Sequence, residues 1–417
     1  MSATLLVATE THFVRIPDGR VYSTTGVDGY GFWTRYLDVF DRVLVAARTR
    51  MISQAPALPP VDGSGVEVAA LPDYRGPWEY LRARPALVAA MRHAVASADA
   101  LCLRAPGPIA GLAWHLRGGR PFGVEVVGDP RDTLARGAVR TAARPFARAA
   151  LARGLRAMCR SAEAVSYVTA GTLQRRYPAG CWSTSYSSIQ LDDEAFAREE
   201  DVQLRYDVAR LATRGTLGDP WRFVFVGSLA QRYKGLDVAM DAVALCRAKG
   251  LHAHLTVVGD GAERRTFEHH ARTRALTPLV KFMGQVPGTE VRSVLDRSDL
   301  FVLPSRTEGL PRAMLEAMAA GVVCVGSCAG GIPELLPASR LAVPGDARGL
   351  SEIVMGLCTD RLRLAALALA DRRTALGYQA SVLRPRRRAL YEHVFSALER
   401  RDGDSSSARR RLEAAYR

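Results

Sequence analysis

The sequence predicts an α/β protein made of two doubly wound domains. Short apolar runs alternate with helix-period segments along most of the chain, the pattern of parallel strands joined by crossover helices. At 417 residues the chain is too long for one ordinary domain and long enough for two, each with its own core. In the first half the strands expected are Leu5–Ala8, Val43–Ala46, Val66–Leu71, Ala100–Leu103, Phe122–Val127 and Val165–Thr169. In the second they are Phe223–Val226, Leu255–Val258, Val280–Met283, Leu300–Leu303 and Val322–Val325. Between Asp192 and Trp221 charged and Gly/Pro-containing sequence replaces the periodic pattern, so the boundary is expected there. A basic helical segment follows from about Ser381, with a tail from Asp402 that reads as mobile. The organisation expected is therefore a first domain over 1–200, a second over 201–380 and a C-terminal segment over 381–417. No internal repeat is visible.

Composition narrows the function classes. No stretch approaches ~18 uninterrupted apolar residues, so no membrane span is expected. The start, Met1 to Glu10, lacks the basic onset and cleavage pattern of a signal peptide and reads as the first strand. The seven cysteines are scattered, and Cys324 and Cys328 lack metal-site spacing, which points to reduced core thiols in a cytoplasmic protein. A net charge of +15 raises a nucleic-acid binder as a rival. Against it, no nucleic-acid module is present, and the basic residues are not interleaved with aromatics as a single-strand groove requires.

Ligands of open α/β sheets collect at the carboxyl ends of strands, so the residues just after each strand carry the chemistry. After Leu300–Leu303 come Pro304-Ser305, then Glu308-Gly309-Leu310-Pro311, with Pro311 expected as the first residue of a helix that carries Glu316. Gly321 and Gly330-Gly331-Ile332-Pro333-Glu334 follow. A strand end leading into a helix start aims unpaired backbone N–H groups and a positive dipole end at the crevice, which suits hydroxyls and phosphates. Glu308, on the turn, can accept hydrogen bonds from sugar hydroxyls. Glu316 can accept from the paired hydroxyls of a ribose, as acidic residues do in other nucleotide folds. Taken as a bare pair, the two glutamates read more often as a helix cap and a solvated surface residue.

With these residues in place, the stretch resembles the donor-site signature of the retaining glycosyltransferases of family 4, which have the two-domain GT-B fold. Phe223-Val224-Phe225-Val226-Gly227-Ser228-Leu229, followed by Tyr233-Lys234-Gly235-Leu236-Asp237, resembles the first strand, turn and helix of that family's C-terminal domain. The wording is nearest to members that build exopolysaccharides or lipid-linked glycans. The resemblance implies two Rossmann-like domains facing a central cleft, acceptor-side over 1–200 and donor-binding over 201–380, with the C-terminal segment crossing back partly onto the first. It implies that Lys234 grips the donor diphosphate. Arginine is the default cation here, and Lys234 is one of three lysines, with Lys249 and Lys281. A compact ammonium on a flexible stem suits a crowded diphosphate. Many relatives carry an arginine directly after the strand glycine, where this chain has Ser228, so Arg232 is the candidate to reach in from the loop.

The same resemblance places Gly29 and Gly31, in Gly26-Val27-Asp28-Gly29-Tyr30-Gly31, on a glycine-rich loop facing the donor phosphates; the loop is also compatible with a plain surface turn. Gly259-Asp260-Gly261 resembles the family's glycine turn and reads equally as a tight turn. Gly284 and Val286, with Gly309 and Leu310, are expected to meet the nucleotide through backbone groups. Gly128-Asp129-Pro130 stands where many relatives have a histidine facing the donor sugar. Asp129 either takes that role, binding sugar or acceptor hydroxyls, or caps the helix starting at Pro130.

The function expected is transfer of a sugar from a nucleoside-diphosphate sugar to a glycan or polyprenyl-linked acceptor. No metal or other cofactor is expected, since no aspartate-any-aspartate pair stands out to hold a divalent ion. Catalytic roles fall on Lys234, Glu308 and Asp129. The alternatives are a non-catalytic binding subunit, or an epimerase or phosphorylase on the same fold. Arg136, Arg140, Arg144 and Arg148 recur every four residues in an alanine-rich segment, and Pro145 interrupts the run. Spacing of four keeps them on one helical face, which suits either anionic lipid at an inner membrane leaflet or plain solvent.

Overall fold

The structure is a computed structural model describing residues 2–24, 28–56, 58–130, 144–207, 211–216 and 218–415. These form two compact units. One holds the described residues up to 130, 144–186 and those from Arg384 onward; the other holds the described residues within Ser187–Leu383.

The first unit is built on an eight-stranded sheet in the order β4-β3-β1-β5-β6-β7-β8, with β2 pairing β1 off this path. The strands are β1 Thr4–Arg15, β2 Val21–Ser23, β3 Arg42–Met51, β4 Val66–Pro72, β5 Ala100–Ala105, β6 Phe122–Val126, β7 Ala164–Tyr167 and β8 Trp182–Ser185. All pairings are parallel except the β1–β2 hairpin. The helices Gly76–Ala96, Pro108–Leu116 and Arg144–Ser161 bury Leu87, Met91, Ile109, Ala113, Leu155 and Met158 with Leu101, Leu103 and Val124 of the sheet in one core. That agrees with the apolar runs of the sequence, because two-sided burial demands near-continuous hydrophobic strands.

β1 runs seven residues beyond the expected end at Ala8. Its second half, from Thr9 to Arg15, is interrupted by a register shift between Ala8 and His12. Polar Thr9, Glu10, Thr11 and His12 hide that extension from a hydrophobicity reading, while ladder bonds to β3 and β2 hold it in place. β8 is missed for a similar reason: it is largely exposed and carries no apolar run.

A charged network lies inside this unit. Glu125 on β6 is only 2% exposed. Its carboxylate accepts from Tyr186 at 2.8 Å, Tyr36 at 3.1 Å, Tyr391 at 3.2 Å and the Arg104 guanidinium. Burial alone would push the Glu125 carboxyl up, but Arg104, Arg35 and the bonds from Tyr186 and Tyr36 together outweigh it and hold the group below its ordinary value. Tyr391 belongs to the long helix Ala380–Ala415, so this bond ties that helix into the unit's core.

The second unit carries a six-stranded, all-parallel sheet in the order β11-β10-β9-β12-β13-β14. Its strands are β9 Trp221–Val226, β10 Ala253–Val258, β11 Val280–Gly284, β12 Leu300–Leu303, β13 Val323–Ser327 and β14 Leu341–Ala342. β9 pairs with β10 on one side and β12 on the other, so the strand order reverses between β9 and β12. Such a reversal opens a crevice at the carboxyl ends of the two strands, because the loops that follow them diverge to opposite faces. Away from it, Arg340 and Asp371 form a buried pair with bonds of 2.6 and 2.7 Å, and Asp371 also accepts from the Cys324 amide at 3.0 Å.

Candidate functional site

The residues at the β9–β12 reversal are drawn together by close backbone approaches. After β9, residues Arg232–Lys234 make one tight turn, and Gly235 in the left-handed region (φ 74°) passes the chain into the helix Leu236–Ala248. A Cβ on Gly235 would lie 2.0 Å from the Pro304 carbonyl oxygen, so only glycine allows this turn to pack on the end of β12. The Arg306 amide then donates to the Tyr233 carbonyl at 2.7 Å. On the far side Gly330 (φ 56°) would place a Cβ 1.7 Å from the Glu308 carbonyl oxygen, and the Gly331 amide donates to Gly309 at 2.7 Å. The glycines at 330 and 331 thus fix the backbone around Glu308, while Gly321 (φ 68°) closes the helix Arg312–Ala319 against Val202.

This packing brings Lys234 onto Glu308. The ammonium meets both carboxylate oxygens, at 2.7 and 3.0 Å, and the Ser305 hydroxyl donates to the same carboxylate at 3.1 Å. Burial pulls the Lys234 ammonium down, yet the Glu308 carboxylate and Tyr233 together more than offset that, and the group stays charged with its pKa above the ordinary lysine value. Thr307, between them in sequence, has a buried hydroxyl with no hydrogen-bond partner among the described residues.

The helix that follows spans Arg312–Ala319, with Pro311 as its N-cap rather than its first residue. The extended backbone of Pro311 (φ −75°, ψ 106°) explains the one-residue difference from the sequence expectation. Glu316 lies one turn in, half-buried, and burial pushes its carboxyl above the ordinary value with partial relief from Arg312. Among the described residues no donor is hydrogen-bonded to its carboxylate. A half-buried carboxylate left without donors at a strand-end crevice is placed to receive hydroxyls from a ligand.

The neighbouring loops are joined to this core through main chain. Gly259 approaches Gly227, where a Cβ would sit 2.0 Å from the carbonyl oxygen, and its amide donates to Gly284 at 2.8 Å. Leu229 donates to Asp260 at 2.9 Å. Gly284 ends β11 in the left-handed region (φ 77°), and Val286 follows it half-buried. Ser228 is exposed and its hydroxyl accepts from the Ala230 amide at 3.2 Å. The carboxyl ends of β9, β10, β11 and β12 therefore form one continuous rim that holds Ser228, Lys234, Gly284, Val286, Glu308, Gly309, Leu310 and Glu316.

With this geometry in place, residues 220–360 are found to match the family described as glycosyl transferases group 1. The match covers this segment of the chain and does not reach the first unit. The chain is similar to the amylovoran biosynthesis glycosyltransferase AmsK of Erwinia amylovora, with 34% identity over 171 residues. That match covers 39% of this chain and 42% of AmsK, so it spans less than half the length of the relative. Among solved structures, sucrose-phosphate synthase from Thermosynechococcus elongatus aligns with a TM-score of 0.68 at 17% identity, covering 95% of this chain and 100% of that one. HepE of Anabaena, solved in complex with UDP-glucose, aligns with a TM-score of 0.63 at 16% identity, covering 95% and 99%. These likenesses give the fold, and the chain has the GT-B fold of glycosyltransferases.

Within the matched segment, Arg232 does not stand alone. Its guanidinium pairs with Asp237 at 3.0 Å, and Arg306 clasps the same carboxylate at 2.8 and 2.9 Å. Burial pushes Asp237 up, but Arg306 and then Arg232 override it and hold the carboxyl below its ordinary value. Arg306 and Arg312 are cations of this rim that sequence reading passed over, although Arg306 sits in the quoted stretch between Ser305 and Glu308.

The remaining candidates belong to the first unit. Gly29 is buried, with Pro59 and Pro60 so close that a Cβ would meet the Pro59 Cβ at 2.9 Å; Gly31 is exposed with open space around it. Asp129 is 3% exposed, and its carboxylate accepts from the Tyr177 hydroxyl at 2.6 Å and from Arg176. That adds a third employment to the two read from sequence: clamping the segment Thr172–Tyr177 onto the end of β6. Arg136 and Arg140 lie outside the described residues, and Arg144 opens the helix Arg144–Ser161, which Pro145 joins in its first turn. Among the described residues, no group of three or more His, Cys, Asp or Glu side chains converges to hold a metal ion, and no helix is long and apolar enough to cross a membrane.

Proposed function

We propose that the protein is a retaining glycosyltransferase that moves a sugar from a nucleoside-diphosphate sugar to a glycan or polyprenyl-linked acceptor, in exopolysaccharide or cell-surface glycan assembly. The observation that carries this reading is the bidentate Lys234–Glu308 pair formed by the loops after β9 and β12, with the open Glu316 carboxylate on the helix that follows. The solved complex of HepE with UDP-glucose supports a nucleotide-sugar donor for this fold.

In this reading Lys234 turns its ammonium from Glu308 to the donor diphosphate and stabilises the charge that develops on it as the glycosidic bond breaks. Glu308, relieved of the lysine, accepts from hydroxyls of the transferred sugar. The N-terminus of Arg312–Ala319 adds backbone N–H donors, and Arg232, steadied by Asp237, is a second cation for the leaving group. These groups make a metal ion unnecessary. The departing diphosphate takes the acceptor proton on the face where the new bond forms, so configuration is retained without a protein nucleophile. Main-chain groups at Gly284, Val286, Gly309 and Leu310 line the base and ribose, and Glu316 holds the ribose hydroxyls. The arginines at 136, 140, 144 and 148 are assigned to an anionic membrane surface carrying the acceptor.

Glu316 supplies the test. Calorimetric titration with UDP, GDP and dTDP should find one that binds, and Glu316→Ala should weaken it by roughly tenfold or more, the worth of hydrogen bonds to a charged group. Because burial raises the Glu316 pKa, its acceptor form is lost at a higher pH than for an ordinary glutamate. Affinity should therefore fall with decreasing pH while ordinary carboxylates are still ionised, and Glu316→Gln should remove that dependence. Unaltered affinity in Glu316→Ala would remove its ribose role.

A further inference from the structure

The carboxyl edge of the first unit's sheet carries a polar cluster separate from the Glu125 network. β1 pairs with β3 on one side and β5 on the other, so the strand order reverses here too, between β1 and β5. Open α/β sheets collect ligands at such a reversal. β1 pairs with β5 only as far as Ala8, opposite Leu103, and its polar continuation Thr9–His12 runs on past that point. Glu10 is bonded into the scaffold there. Its carboxylate accepts from the Ile109 amide at 2.6 Å and the Tyr74 hydroxyl at 3.2 Å, with Arg48 of β3 at 3.4 Å. A Cβ on Gly107 would lie 2.3 Å from the Glu10 Cγ, so the turn after β5 is shaped around this side chain.

His12 is held differently. Its Nδ1 lies 2.8 Å from Asp73, just after β4, and the same Asp73 oxygen accepts from the Tyr74 amide at 3.0 Å. A carboxylate at Nδ1 keeps the proton of the neutral imidazole on that nitrogen and leaves Nε2 with its lone pair. Among the described residues no group is hydrogen-bonded to Nε2, and the side chain keeps 37% of its surface exposed. A simple surface ion pair would raise the imidazole pKa. Here burial, joined by Arg48 and Arg75, outweighs Asp73 and lowers it, so the ring is neutral at pH 7. The charged groups around the ring are Arg48 on β3 and Asp73 and Arg75 after β4, with Glu10 and Tyr74 bonded to Arg48 beside them. The product is an oriented, uncharged imidazole that offers an acceptor nitrogen to solvent. An unprotonated Nε2 accepts and cannot donate, so it suits a hydroxyl and not a phosphate oxygen.

We propose that His12, oriented by Asp73, receives a hydrogen bond from a hydroxyl of the acceptor sugar. The proposal rests on the glycosyltransferase reading for the identity of its ligand and adds an acceptor-binding residue to it. His12 makes the contact, and Asp73 is a positioning residue that fixes the tautomer.

Diethyl pyrocarbonate, which acylates unprotonated imidazole nitrogen, tests the contact without any sugar donor. Peptide mass mapping of the treated full chain should find His12 modified, and one of p-nitrophenyl glucoside, galactoside or mannoside should slow that modification. With this glycoside as acceptor and the sugar nucleotide that the native chain turns over, His12→Ala should raise the acceptor KM by about five- to tenfold, the worth of one hydrogen bond. His12→Gln, whose amide oxygen accepts, should recover part of the loss. In the native chain the acceptor KM should rise as pH falls through the lowered His12 pKa, and His12→Gln should abolish that rise. Asp73→Asn removes the carboxylate that holds the pKa up, so the rise should move to lower pH, a displacement that a purely structural role for Asp73 would not produce. Titration with UDP, GDP and dTDP keeps the donor reading apart: a native chain that binds none defeats that reading, while protection of His12 is measured without nucleotide. Modification of His12 that no glycoside slows, or that inorganic pyrophosphate slows instead, would overturn the proposal. So would an unaltered acceptor KM in a folded His12→Ala protein.

Discussion

Lys234→Ala should lower the turnover of a sugar donor by about 10²-fold or more, the usual loss on removing one preorganised electrostatic donor from a reacting group. The ammonium is mostly shielded from water, lies 2.7 Å from Glu308 and is held in its charged form. Charge in such a site acts at low effective dielectric, so its removal is felt strongly. The variant also strips the Glu308 carboxylate of its main counter-charge and leaves it the Ser305 hydroxyl. Breaking a buried pair from one side carries its own cost to stability of about 3–5 kcal/mol. Lys234→Ala combined with Glu308→Gln separates the two effects. Melting temperature should recover toward the native value in the double variant, while turnover stays low. Lys234→Arg should not rescue turnover, because a planar guanidinium cannot occupy the position of a compact ammonium between Glu308 and the leaving group. Full activity in a folded Lys234→Ala protein would remove the residue from the mechanism.

The second large effect is on stability and lies in the first unit. Glu125→Ala should cost about 3–5 kcal/mol in denaturant unfolding, because it leaves the buried Arg104 guanidinium without its counter-charge. It also strands the hydroxyls of Tyr36, Tyr186 and Tyr391. Tyr391→Phe, which deletes one donor to the same carboxylate, should cost less, about 1.5–3 kcal/mol. The pH dependence follows from the sign of the shift. The folded-state pKa of Glu125 is lowered, so its contribution is fully present above the unfolded-state value and is lost as pH falls through the lowered folded value. Unfolding followed along an acid series should show that loss in the native chain and a flatter profile in Glu125→Ala. A variant as stable as the native protein at neutral pH would show that the network is not what holds the helix Ala380–Ala415 to the core.

The sequence made the parallel architecture legible because strands buried on both faces must be apolar throughout, as in Leu300–Leu303 and Phe223–Val226. Lys234 and Glu308 were legible for another reason: each falls just after such a strand, where a doubly wound sheet puts its ligand residues. What escaped detection has no period to reveal it. Arg306 and Asp237 are 69 residues apart and Glu125 and Tyr391 are 266 apart, and no local pattern announces which charge or hydroxyl another will find. The second half of β1 escaped because polar Thr9 to His12 break the apolar run before buried Phe13 and Val14, and ladder bonds carry the strand onward. Asp129 shows the complementary limit. Its place after β6 suggested a ligand contact, while only coordinates could show its carboxylate meeting Arg176 and Tyr177.

The central claim is that the loops after β9 and β12 hold and activate a nucleoside-diphosphate sugar. Release of nucleoside diphosphate by the purified chain, followed across UDP-, GDP- and dTDP-sugars with a chelator present, tests it most directly. The account predicts slow hydrolysis of one donor without added metal, with this release abolished by Lys234→Ala and greatly reduced by Glu316→Ala. Release that requires a divalent ion, or that persists unchanged in both variants, would contradict it.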